Sequence, residues 1–128
     1  MNVVDSSGWL EYFADGANAG FFASAIENVA ELIVPTISIF EVFKRVLAQR
    51  SEDEALQACA AMQQGRMIDL DVSLALEAAR LSATLKLPMA DSIILATART
   101  HGATLWTQDA DFRDLTDVQF VAAQSANT

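Results

Sequence analysis

The sequence predicts an α/β fold, a three-layer α/β/α sandwich around a central parallel sheet. Three observations carry that expectation. Short apolar runs such as Val3-Val4, Leu32-Ile33-Val34 and Leu105-Trp106 alternate with longer stretches of helical periodicity. Strands separated by helices imply parallel pairing, with both faces of the sheet covered. Five Gly and two Pro are the only strong punctuation in 128 residues, which favours long helices on short connections.

Asn2 to Asp5 reads as a short buried strand ending at an aspartate. Ser6-Ser7-Gly8 then opens a helix carrying Trp9, Leu10, Tyr12 and Phe13, with Ser6 or Ser7 as its N-cap. Residues 19–30 read as a second helix. Leu32-Ile33-Val34 is a strand stopped by Pro35, and Thr36 caps a helix from Ile37 to about Gln49. An Ala/Gln-rich helix spans Glu52 to Gln64 and closes at Gly65. Met67-Ile68 supplies a strand, and Asp71 caps a helix from Val72 to Leu85. After Pro88 a helix runs from Ala90 to His101 and ends at Gly102. Thr104 to Thr107 is a strand, followed by the turn Gln108-Asp109-Ala110-Asp111. Gln119 to Ala122 is the last strand, and the final residues are expected to fray.

Length and composition predict one domain over residues 1–128, because 52% hydrophobic residues supply a core and 20% charged residues a surface. No apolar run approaches the ~20 residues of a membrane span. Met1-Asn2-Val3-Val4-Asp5 lacks the basic and apolar regions of a secretory signal, so a cytoplasmic location is expected. The single cysteine, Cys59, rules out an intrachain disulfide and reads as a buried small hydrophobe. A net charge of −9 argues against gripping nucleic acid through a broad basic surface. It leaves open action at a metal-filled site, where cations invert the local sign.

Ligand sites in open parallel sheets form beyond the carboxyl ends of the strands. Asp5 closes the first strand and Asp109 follows the Leu105-Trp106 strand, so both fall at that rim. Each also reads as an ordinary cap or turn aspartate. A helical wheel places Ile39, Phe40, Val42, Phe43, Val46 and Leu47 on one side, with Glu41 opposite beside Ser38, Lys44 and Arg45. Alone, Glu41 reads as a solvated partner of Arg45. Asp91 heads the apolar stripe Ile94, Leu95 and Ala98, where it loses hydration. A helix N-cap and a metal ligand both fit it. Several carboxylates meeting at one rim would repel one another, and a hard cation with oxygen ligands, Mg²⁺ or Mn²⁺, removes that conflict. Two such ions ~3.5–4 Å apart are a known arrangement for in-line phosphodiester cleavage.

Four segments in order, Val3-Val4-Asp5-Ser6-Ser7, Ser38-Ile39-Phe40-Glu41-Val42, Met89-Ala90-Asp91-Ser92-Ile93-Ile94-Leu95-Ala96-Thr97-Ala98 and Leu105-Trp106-Thr107-Gln108-Asp109-Ala110-Asp111-Phe112, resemble the PIN domain, in particular the bacterial VapC-like toxins. The resemblance spans nearly the whole chain. It implies the same α/β/α sandwich and a metal-dependent endoribonuclease acting on single-stranded RNA. It further implies a homodimer and neutralisation by a cognate antitoxin, as in a type II toxin–antitoxin pair. It places Asp5, Glu41, Asp91 and Asp109 at the catalytic site, with Asp5, Asp91 and Asp109 as ligands of Mg²⁺ or Mn²⁺. Glu41 holds a metal-bound water or a second ion, while Ser6, Thr107 and the more peripheral Asp111 support the ligands. The commoner toxin form has Thr-Asn after the first aspartate, where this chain has Ser6-Ser7-Gly8 but keeps a hydroxyl.

Lys44, Arg45, Arg50 and Arg99 are candidates for phosphate contacts. His101, before Gly102, reads as a surface or capping residue. Helical spacing makes Trp9, Tyr12 and Phe13 core or dimer contacts rather than base-stacking platforms. Phe21, Phe22 and the stripe of Phe40, Phe43 and Leu47 read as core, or as a groove for an antitoxin helix or a second subunit. A phosphoryl-receiver domain is a poor alternative, because Val3-Val4 precede Asp5 and the last lysine is Lys86. A non-catalytic module of the same fold and a DNA-directed nuclease are the other readings.

Overall fold

The computed structural model describes residues 1–124; the expected fraying of the last residues lies outside them. Five strands form one parallel sheet: β1 (Asn2–Val4), β2 (Leu32–Pro35), β3 (Arg66–Ile68), β4 (Thr104–Thr107) and β5 (Val118–Phe120). Their spatial order is β3-β2-β1-β4-β5. Six helices surround the sheet: α1 (Ser6–Phe13), α2 (Ala19–Ile26), α3 (Thr36–Gln49), α4 (Glu52–Met62), α5 (Val72–Leu85) and α6 (Met89–Thr100). No described helix is long and apolar enough to cross a membrane.

Successive strand residues point to opposite faces, so a strand covered on both sides must be apolar throughout. Val4, Leu32 and Val34 pack with Trp9, Phe22, Val42 and Met62 on one face. Val3, Ile33 and Leu105 pack with Leu87, Ile94, Leu95 and Phe112 on the other. Helices α1 to α4 supply the first layer, and α5 with α6 the second. That is the sandwich expected from the sequence.

Several boundaries differ from expectation, and capping explains most of them. Asp5 leaves the strand and becomes the N-cap of α1, accepting Gly8 N–H, so Ser6 and Ser7 lie inside the helix. Pro35 takes the cap position of α3 and Thr36 starts the helix, since Pro fixes φ and needs no N–H there. The second helix stops at Ile26, and Val29–Glu31 forms a separate 3-10 turn before β2. The fourth helix ends at Met62, short of Gln64. Helix α6 starts at Met89 behind Pro88 and ends at Thr100, with His101 at its C-cap. The last strand begins one residue early, at Val118, and ends at Phe120.

The chain lays down β1, β2 and β3 outward in one direction, then returns to place β4 on the far side of β1. The strand order therefore reverses between β1 and β4, and a crevice opens beyond their carboxyl ends. Asp5 and Asp109 follow those two strands.

Candidate active site

Asp5, Glu41, Asp91 and Asp109 line one open cavity of about 450 Å³ at this crevice, together with Ser6, Phe40 and Lys44. Four elements deliver the acids. Asp5 caps α1, Glu41 projects from the second turn of α3, and Asp91 stands in the first turn of α6. Asp109 caps the 3-10 turn Ala110–Phe112 that follows β4.

Asp5 is only 2% exposed, and both of its oxygens are engaged. Oδ1 accepts from Ser7 Oγ at 2.8 Å and from Gly8 N at 2.9 Å. Oδ2 accepts from Thr107 Oγ1 at 2.6 Å. Burial raises its pKa to about 6 against the lowering effect of these bonds, with Asp109 adding a smaller upward push. Thr107 Oγ1 also accepts from Asp109 N at 2.9 Å, so one hydroxyl ties the ends of β1 and β4 together.

Asp91 accepts no hydrogen bond among the described residues. The N-cap alternative for it fails, because Pro88 holds that position. Burial raises its pKa to about 7, helped by the charges of Asp109, Asp5, Glu41 and Asp111 in that order. A half-buried carboxylate facing four others is a setting in which a bound cation would relieve the repulsion. Asp91, Asp109 and Asp111 each offer an oxygen within 4.8 Å of the other two. Three hard oxygen donors at that spacing, with no nitrogen or sulfur among them, suit Mg²⁺ or Mn²⁺.

Glu41 does not pair with Arg45. Its Oε1 accepts from Ser6 Oγ at 2.5 Å, and the described residues contain no ion pair at Arg45. The wheel that put Phe40 and Leu47 on an inward face is also wrong, since both are exposed. Helix α3 instead buries Ser38 and Val42, because its flanks are covered by α1, α4 and α6. Arg99 sits at the far end of α6, beside a different cavity, and is no neighbour of the acids. His101 acts as the cap expected of it, its Nδ1 lying 2.9 Å from the Thr97 carbonyl oxygen.

Sequence reasoning missed Ser7, taken only for a cap, as an Asp5 partner. It also missed Asn18, a buried amide in the loop before α2 that donates to Gln108 Oε1 and the Ala122 carbonyl. No local pattern marks Asn18, because its partners lie about a hundred residues away in the chain.

A family model for the PIN domain matches residues 3–118. No curated protein sequence matches the chain. A toxin–antitoxin complex from Klebsiella pneumoniae superposes with a TM-score of 0.78 at 22% identity, covering 93% of this chain and 96% of that one. VapC20 of Mycobacterium tuberculosis, a sarcin–ricin loop cleaving toxin, gives 0.77 at 16% identity over 91% and 95% of the two chains. VapBC2 of Rickettsia felis, bound to a DNA fragment from its promoter, gives 0.73 at 12% identity over 94% and 97%. At these identities the likeness shows the fold.

Proposed function

The chain belongs to the PIN domain family, a family of nucleases, and from that premise we propose that it is a Mg²⁺- or Mn²⁺-dependent endoribonuclease cleaving single-stranded RNA, the toxin of a type II toxin–antitoxin pair. The observation that carries this reading is the convergence of Asp5, Glu41, Asp91 and Asp109 on one cavity. With Asp111 close behind, it is an arrangement that a solvated surface has no reason to build.

In this reading Asp91, Asp109 and Asp111 hold the cation, and Asp5 orders the rim beside them through Thr107. A divalent ion held there would offset the phosphate charge and lower the pKa of a water, the chemistry that hydrolysis of a phosphodiester needs. Glu41 is fixed by Ser6 through Oε1 and keeps Oε2 free to accept the proton of the attacking water. The water oxygen joins phosphorus as the bond to the leaving sugar oxygen breaks.

The Klebsiella and Rickettsia likenesses are to toxin–antitoxin complexes, which supports a small antitoxin as partner here. Exposed Val72 and Leu76, one turn apart on α5, support a homodimer. Action in the cytoplasm, on one domain spanning residues 1–128, completes the reading.

The test is cleavage of RNA and DNA single strands of the same sequence, side by side. RNA should be cut with Mg²⁺ or Mn²⁺, and EDTA should stop the reaction. Asp5→Asn and Asp91→Asn should each slow it at least ~10²-fold. Cleavage without metal, or undiminished by both substitutions, refutes the mechanism.

A further inference from the structure

A second cavity, of about 710 Å³, lies between α1, α3 and α4 and shares Ser7, Leu10 and Arg45 with the acidic one as common walls. Building on the nuclease reading above, we infer that this groove is a subsite for the substrate strand, in which Arg45 and Arg50 contact backbone phosphates next to the scissile one.

The charge distribution supports it. Three of the chain's eight basic residues, Lys44, Arg45 and Arg50, fall within seven positions and line these two cavities. None of the three is in an ion pair among the described residues, although the chain carries seventeen acids. The two glutamates in the groove are occupied elsewhere. Glu11 Oε2 accepts from Asn18 N at 2.8 Å, and its carboxylate fills the space where Gly16 would carry a Cβ. Glu54 Oε2 accepts from Ser51 Oγ at the capped start of α4. The guanidinium groups are left without an ion-pair partner among the described residues, and two arginines against two glutamates bring the groove close to neutral on a protein of net charge −9.

The walls suit a strand with bases as well as phosphates. Leu10, Phe13 and Val46 form an apolar side. At the mouth of the acidic cavity the Phe40 ring is 59% exposed, with Lys44 Nζ 5.7 Å from its centroid. A cation beside an exposed ring is a combination that single-stranded nucleic acid uses for phosphate and base together. An acidic peptide fits the arginines alone. It fits poorly where the groove opens into the carboxylates, which favour a cation-bridged phosphate over another carboxylate.

Binding of a fluorescein-labelled RNA of about 12 nucleotides to the Asp91→Asn protein in EDTA, followed by anisotropy across a salt titration, tests the groove without turnover. Arg50→Glu in that background should weaken binding ~10-fold and lower the slope of log K against log salt by ~0.7. Arg45→Glu should do the same, and Arg50→Ala should give a smaller loss in the same direction, which covers a folding defect in any one variant. Arg80→Glu, a distant exposed cation, is the control and should leave binding unchanged. Equal losses for Arg80→Glu and Arg50→Glu, or none for either, overturn the subsite. So does displacement of the RNA by a polyglutamate peptide as efficiently as by unlabelled RNA, since the groove is then a peptide site. Wild-type cleavage reports the proposed activity separately, so either reading fails on its own evidence.

Discussion

Thr107 uses one buried hydroxyl to make two hydrogen bonds at the rim. Its hydroxyl donates to Asp5 Oδ2 and accepts from Asp109 N, so it sets the distance between two acids that follow neighbouring strands. A hydroxyl can do both only with its hydrogen directed to the carboxylate, which favours the ionised form of Asp5. Thr107→Val keeps the shape and removes both bonds. We expect kcat to fall ~10-fold or more while KM changes little, because the acids lose their register and the substrate walls stay intact. Thr107→Ser should restore most of the rate, which a purely packing role for the methyl group would not allow. A Val variant with wild-type kcat refutes the positioning role. The same residue scale explains why capping and site readings of Asp5 and Asp109 were not rivals. Each caps a short element with one oxygen and presents its carboxylate to the cavity at once.

Helix α1 carries Ser6 and Ser7, so its seating on the sheet governs both acids that they hold. Gly8 sets that seating. A Cβ there would lie 2.6 Å from Phe22 Cε1 and 2.6 Å from Val4 Cγ1, both in fully buried side chains. Gly8→Ala gains ~0.5–1 kcal/mol of helix propensity but overpacks the contact at a cost of ~1–3 kcal/mol. Overpacking wins, so the denaturation midpoint should fall without a change in m-value, and cleavage should fall with it as Ser6 moves off Glu41. An unchanged or raised midpoint would show that the helix shifts freely. At this scale most of the architecture was legible in the sequence, since strands buried on both faces are apolar throughout and announce themselves. The face of α3 was not legible. Phe40 matched an apolar stripe, yet the helix turns it out to the site, because neighbours from three other helices, invisible in local periodicity, decide which side is covered. Asp111 was read as peripheral for a related reason. The turn after Asp109 was evident, but the sense in which the 3-10 geometry folds Asp111 back toward Asp91 was not.

The topology forces like charges together, and the whole molecule must carry the consequence in its stability. Asp5 and Asp91 titrate in the folded protein at about 6 and about 7, both above the ordinary 3.8. Between 3.8 and those values the folded state holds more protons than the unfolded one. By linkage, the stability contributed by the protonated forms is complete below 3.8 and is lost as pH rises through 6 and 7. The metal-free protein should therefore melt lower at about pH 7.5 than at about pH 5.5, the range over which the raised groups ionise. A cation among the acids reverses this, binding the ionised folded state and competing with protons. Excess Mn²⁺ should raise Tm markedly at the higher pH and little at the lower one. Asp91→Asn isolates the cause by removing the charge that four neighbours oppose. In EDTA at neutral pH it should melt above the wild type, by ~4 °C per kcal/mol relieved in a domain of this size. It should also lose most of the Mn²⁺ response. A wild-type Tm that ignores Mn²⁺ at both pH values, or an Asn variant that melts lower without metal, would mean that the carboxylates are not in conflict and that no cation is needed to reconcile them.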